Sequence, residues 1–189
     1  YKDLEFGTGG LRGIIGAGTN RMNVYTVGKA SQGLAEYVNS VNKKGKIAIA
    51  YDSRIKSELF ARTAASVFAA NGIKVYIYKE LMPTPMLSYA VRKLGCNAGV
   101  VITASHNPAK YNGYKAYGPD GCQLGLDAAE YVLSIMNKVD IFDDVKSVDF
   151  ETAVNENKIE FIKENVIEDY LNCVLACRVE PNADVKSLK

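Results

Sequence analysis

The sequence predicts an α/β fold: a three-layer domain with a mixed, mostly parallel sheet between helices. Three observations lead there. Short β-rich runs, KIAIAY (Lys46 to Tyr51), KVYIY (Lys74 to Tyr78) and AGVVITA (Ala98 to Ala104), alternate with segments whose apolar residues recur three and four positions apart. Glycine, proline and asparagine fall between those segments rather than in a linker. The chain has 189 residues, 48% of them hydrophobic, which is enough to bury one substantial core and the start of another.

Taken in order, Val24, Val27, Ser31, Leu34, Val38 and Val41 form one helical stripe. KIAIAY and KVYIY are strands, and Phe60, Ala64, Val67 and Phe68 mark a helix between them that ends at Asn71-Gly72, making a βαβ unit. Thr84 and Pro85 read as an N-cap and a first-turn proline, with Leu87, Ala90, Val91 and Leu94 as the buried face and Gly95 as the stop. After the strand AGVVITA come an Asn112-Gly113 hairpin signal, a Pro119-Asp120-Gly121 turn, and a helix from Asp127 that Glu130 would cap. Phe161, Ile162, Val166, Tyr170, Leu171 and Val174 make a last helical stripe. Residues 1–140 read as one α/β domain and 141–189 as a connecting segment with a helix.

Composition narrows the function classes. Lys and Arg number 23 against 21 Asp and Glu, a formal net charge of +2 with scattered charges, so no basic face points to nucleic acid and any anion must be met locally. No run of about 20 apolar residues suits a bilayer, and YKDLEFG has neither the basic nor the apolar region of a signal peptide, so a cytoplasmic location is expected. The opening on Tyr1, without an initiator Met, suggests a start inside a longer protein. The four cysteines form no CxxC pair and, with one histidine, make a poor zinc set; buried free thiols are expected.

In open α/β sheets ligands sit beyond the carboxyl ends of the strands. Ser105 lies at such an end, as does the Asp52-Ser53-Arg54 turn, for which an Asp–Arg pair or bonds to backbone are as good an explanation as ligand contact. A Ser-His nucleophile is disfavoured, because neighbours in an extended segment point to opposite faces and Ala104-Ser105-His106 is not the GxSxG of a nucleophile elbow. A serine that merely caps a turn before Asn107-Pro108 is the plain alternative. The third reading is a serine that carries a phosphoryl group, towards which cations should converge. Lys115 follows the Asn112-Gly113 signal, and Arg12 sits in GTGGLRG, where glycines admit an anion to the backbone. GTGGLRG is neither a Walker A sequence nor GxGxxG.

FGTGGLRG, PTP and TASHNPAKYNGYK together resemble the first domain of the α-D-phosphohexomutases, with the phosphoglucomutase branch nearest, over roughly residues 4–125. The resemblance implies the first of four domains around a central cleft, with Ser105 as the phosphorylated serine. It places Lys115 and Arg12 at positions for proton transfer and charge stabilisation, His106 and Asn107 on the serine loop, and Thr8 with Asn107 in phosphate binding. It also implies Mg²⁺, to which this chain would give only the Ser105 phosphate, the remaining site being completed by a domain not present here. Glucose 1,6-bisphosphate is the implied activator, a small sugar phosphate the substrate, and the remaining domains of the same polypeptide the partners. The implied reaction moves phosphate between C1 and C6 of a hexose, glucose foremost; the chain alone is expected to fold but not to turn over. Phosphomannomutase or phosphopentomutase specificity, or a non-catalytic sugar-phosphate-binding module, are the alternatives. GTGGLRG, unlike the GTDG form of phosphoglucosamine mutases, favours glucose or pentose phosphates.

Overall fold

The computed structural model describes residues 3–180. Among them the elements run β1 (Gly10–Ile14), α1 (Val24–Val41), β2 (Lys46–Tyr51), α2 (Ser57–Ala70), β3 (Lys74–Ile77), α3 (Thr84–Lys93), β4 (Ala98–Ile102), β5 (Tyr111–Tyr117), α4 (Leu126–Met136), α5 (Phe150–Asn155), β6 (Ile159–Phe161) and α6 (Glu164–Ala176). The sheet order is β1-β5-β4-β2-β3-β6. The four strands β4, β2, β3 and β6 are parallel, while β5 pairs antiparallel with β4, and β1 antiparallel with β5. This is the mixed, mostly parallel sheet between helices that the sequence predicts.

Both faces of the central strands are covered, which is why β2 and β4 are almost continuously apolar. On one face Ile47, Ile49, Val100 and Ile102 pack with Leu34 of α1, Phe60 and Phe68 of α2 and Val132 of α4. On the other, Ala48, Ala50 and Val101 meet Leu87 and Val91 of α3, with Ile162 and Val166 added from the chain's end. Fully burying each large aliphatic or aromatic side chain contributes roughly 1.5–3 kcal/mol, so this two-sided core is the main source of stability.

Helix α1 keeps the boundaries its stripe predicts, and the Asn23 side chain accepts hydrogen bonds from the Tyr25 and Thr26 backbone while Thr26 completes a capping box. Elsewhere the caps differ from expectation. Helix α3 begins at Thr84 with Pro83 as its N-cap residue, because Thr84 already carries helical backbone and its side chain caps nothing. Helix α4 begins at Leu126 after Gly125, so Asp127 lies inside the first turn, where its charge suits the helix dipole, and forms no capping box with Glu130.

Three corrections concern the second half of the chain. Asn112-Gly113 is not a turn but the interior of β5. Gly113 is there for close approach, since a Cβ would stand 2.5 Å from the Thr103 carbonyl oxygen and 2.9 Å from that of Leu11. Phe161 and Ile162 do not belong to the last helical stripe: Phe161 ends β6, which extends the sheet beside β3, and α6 starts only at Glu164. The region expected to be a connector therefore contributes to the same sheet, although its residues 181–189 lie outside the described part. Finally, of the four cysteines only Cys96 is buried, which pushes its thiol pKa up to about 12; Cys122, Cys173 and Cys177 are exposed.

Helix α6 lies across α3. Tyr170 meets Tyr89 edge-on at 5.5 Å, and Lys93 pairs with Asp169 at 2.7 Å. Among the described residues no helix is long and apolar enough to cross a membrane.

Candidate active site

The site is built on the antiparallel wing of the sheet and the loop that joins β4 to β5. Arg12 pairs with Gly113 across β1 and β5, and Lys115 pairs with Gly10 on one side and Val101 on the other. Paired residues share a face of the sheet, so Arg12 and Lys115 lie on one face, the face that α3 covers over β2 and β4. On the wing, Arg12 is exposed and Lys115 half-buried. β1 and β5 come unusually close at Gly10, where a Cβ would fall 2.1 Å from the Tyr114 carbonyl oxygen, and the preceding Gly9 has φ +104°. These two requirements account for the paired glycines of GTGGLRG.

A cleft of about 520 Å³ opens there, lined by Thr8, Gly10, Arg12, Asn20, Lys115 and Gln123 together with Asp3 and Glu5. The Gln123 amide donates to the Thr8 carbonyl at 2.8 Å and ties the glycine-rich segment to the chain after β5. One guanidinium nitrogen of Arg12 donates to the Asn107 side-chain oxygen at 3.1 Å, joining the cleft to the serine loop.

Ser105 and His106 are exposed on that loop, just past the end of β4. Ser105 adopts a left-handed backbone with φ 55°, uncommon for a residue with a side chain. Its N–H donates to Thr103 Oγ1 at 2.9 Å, a local side-chain bond that offsets part of the cost. This backbone overturns the expectation that His106 faces away from Ser105. The segment is not extended at this point, and Ser105 Oγ lies 3.3 Å from His106 Nδ1. Ser105, His106 and Asn107 thus share one loop, Thr8, Arg12 and Lys115 share one cleft, and the Arg12–Asn107 bond links the two sets.

The Asp52-Ser53-Arg54 turn meets the same loop. Asp52 and Arg54 do pair, at 3.3 Å between Asp52 Oδ2 and Arg54 Nε, and Asp52 Oδ1 also accepts from the Arg54 N–H at 3.0 Å and Ser57 Oγ at 2.7 Å. The Arg54 guanidinium also reaches across to the serine loop. Nη2 donates to the carbonyls of Ser105 and, at 2.6 Å, Asn107; Nη1 donates to those of Pro108 at 3.1 Å and Tyr111 at 3.2 Å. Buried Asn112 completes the connection, donating to the Ile55 carbonyl at 3.1 Å and Ser57 Oγ at 2.9 Å. The only sequence signal for this was the position of Asp52-Ser53-Arg54 at the carboxyl end of a strand adjacent to β4 in the sheet.

No group of three or more His, Cys, Asp or Glu residues that could hold a metal ion occurs among the described residues. Chemically, the arrangement offers an exposed hydroxyl beside an imidazole, with two cations on the neighbouring wing, which suits a group that gains and loses negative charge.

Comparison with known proteins identifies the family and the fold. A family model described as phosphoglucomutase/phosphomannomutase, alpha/beta/alpha domain I, matches residues 3–141. A phosphoglucomutase of Staphylococcus saprophyticus is 41% identical over 167 residues, covering 88% of this chain and 30% of the relative. One of Staphylococcus epidermidis is 41% identical over 173 residues, covering 90% and 31%. Among solved structures, a Thermus thermophilus protein assigned as a phosphomannomutase superposes with TM-score 0.77 at 25% identity, over 93% of this chain and 36% of that one. The open form of Paramecium parafusin, a phosphoglucomutase, shares the fold with TM-score 0.71 at 20% identity, over 95% of this chain and 36% of its own. The chain thus spans about 30% of the length of the curated relatives it matches. With its sheet order, its glycine-rich wing and its serine loop, this chain belongs to the phosphoglucomutase/phosphomannomutase family, of which it holds the α/β/α domain I.

Proposed function

We propose that this chain supplies the phosphoserine loop of a cytoplasmic phosphosugar mutase that moves phosphate between C1 and C6 of a hexose, glucose foremost, by way of a sugar bisphosphate. The observation that carries the reading is the exposed, left-handed Ser105, with His106 Nδ1 at 3.3 Å, on a loop that Arg12 grips at Asn107. In the forward half-reaction the bond between phosphorus and Ser105 Oγ breaks and a bond from phosphorus to a sugar hydroxyl forms; the hydroxyl proton passes to a base. The bisphosphate turns over, and its other phosphate returns to Ser105.

Each residue has a part in this scheme. Arg12 and Lys115, on one sheet face, offset the charge of the phosphoryl group in transfer, with Lys115 also taking the part of proton donor or acceptor. His106 orients Oγ through its ring nitrogen, Asn107 is held by Arg12, and Thr8 lines the cleft where a phosphate would rest. Mg²⁺ would be held by the Ser105 phosphate, with its other ligands coming from outside the described residues, and would supply further charge neutralisation. Sugar-reading loops would likewise come from other domains of the same polypeptide, so this chain by itself should not turn over.

The experiment is a coupled assay on the complete polypeptide with Mg²⁺ and glucose 1,6-bisphosphate, offering glucose, mannose and ribose 1-phosphates in parallel. Turnover fastest with glucose 1-phosphate is expected. A higher kcat/KM for mannose or ribose phosphate would reassign the substrate, and binding without turnover of any of them would leave a sugar-phosphate-binding module.

A further inference from the structure

We propose that Arg54 is the positioning residue for Ser105, setting the serine loop in its reactive shape from the neighbouring strand; this rests on the phosphoserine reading above. A guanidinium has five N–H donors. Here the four Nη donors are met by carbonyls, Nη1 serving those of Pro108 and Tyr111 and Nη2 those of Ser105 and Asn107, while Nε forms the ion pair with Asp52. Four carbonyls, three from the serine loop and one from Tyr111 at the start of β5, therefore converge on one planar cation whose side chain is 14% exposed. Their negative ends would repel one another without it, and the loop would open.

The consequence falls on the serine. Ser105 holds a left-handed backbone, a conformation that persists only when the surroundings over-determine it. Its N–H is tied to Thr103 and its carbonyl to Arg54, so both of its backbone polar groups are fixed, one by the end of β4 and one by the turn after β2. Arg54 in turn is oriented by Asp52, which Ser57 at the start of α2 holds at 2.7 Å. Precision at Ser105 is thus imported from a half-buried frame on the neighbouring strand end. Lysine could not replace it: an ammonium has three donors and no planar fork.

The test uses the complete polypeptide and its Arg54→Lys and Arg54→Ala variants. Phosphoryl uptake on Ser105 from glucose 1,6-bisphosphate is followed by quenched intact-mass measurement, alongside kcat, KM and the melting transition. Arg54→Lys should melt as a folded protein, with kcat and the rate of uptake down on the order of 100-fold, the cost of misplacing a reacting group by about 1 Å, and KM little changed. Added guanidinium ion should restore part of the activity of Arg54→Ala. If that variant does not fold, Arg54→Lys, which keeps the charge facing Asp52, carries the test. Unchanged uptake and kcat in Arg54→Lys overturn the inference. So does a loss that tracks melting alone and is untouched by guanidinium in a folded Arg54→Ala. A wild-type protein that takes up no phosphoryl group on Ser105 overturns the phosphoserine reading and this inference together, whereas a wild type that loads and a lysine variant that loads equally fast overturn this inference alone.

Discussion

Two loops leave the carboxyl ends of neighbouring parallel strands, and they are built in opposite ways. The one after β4 exposes Ser105 and His106 and makes few side-chain bonds within itself. The one after β2 turns Asp52 and Arg54 inward and, with Ser57 at the start of α2, uses their polar atoms on neighbouring backbone and on one another. A reactive group must face solvent to meet its substrate, yet an exposed loop is ordinarily mobile. The contrast shows how the fold meets both demands: reactivity sits on one loop and rigidity comes from the next.

Substitutions can break or sharpen that contrast. The largest effect should come from Ser105→Ala in the complete polypeptide, which removes the proposed acceptor oxygen and should abolish turnover while leaving the melting transition in place. Next, Lys115→Ala and Arg12→Ala should each lower kcat by roughly 10²–10³-fold, the usual loss for one charge-stabilising contact, with little change in stability because Arg12 is exposed and Lys115 only half-buried. Gly113→Ala attacks the sheet that carries both cations; its methyl group would meet two backbone oxygens, and denaturant unfolding should show a loss of about 1–3 kcal/mol. Ser57→Ala strips Asp52 and Asn112 of a shared partner and should cost about 1–2 kcal/mol, with a smaller fall in kcat than any change to Arg54. The smallest effect is expected from Asn23→Ala, which removes the α1 cap at a cost of about 1 kcal/mol and leaves kcat unaltered.

The same contrast explains what could be read from the residues. Helix α1, the βαβ unit and the strand before Ser105 were legible because their apolar periods are long and their stops are marked by glycine or asparagine. Ser105, Lys115 and Arg12 were legible through FGTGGLRG and TASHNPAKYNGYK as joined stretches. Asn112-Gly113 misled because the pair has the chemistry of a two-residue turn, whereas this glycine answers the close approach of β5 to Leu11 of β1 on one side and to Thr103, just past β4, on the other, which only the tertiary structure reveals. Phe161 and Ile162 misled because a strand of three residues is too short to display its own period before α6 begins. The Ser105–His106 contact depends on one left-handed residue, which no alternation rule anticipates. Arg54 was underrated for a related reason: its acceptors are backbone carbonyls more than 50 positions away, and carbonyls leave no trace in residue types.

The central claim is that Ser105 carries the phosphoryl group. The most direct measurement is intact-mass and peptide analysis of the complete polypeptide after brief incubation with Mg²⁺ and glucose 1,6-bisphosphate, beside the Ser105→Ala variant. The account predicts one added phosphoryl group, located on the peptide containing Ser105, discharged on adding glucose 1-phosphate and absent from the variant. Equal labelling of the variant, or a phosphoryl group on any other residue of the turning-over enzyme, would contradict it.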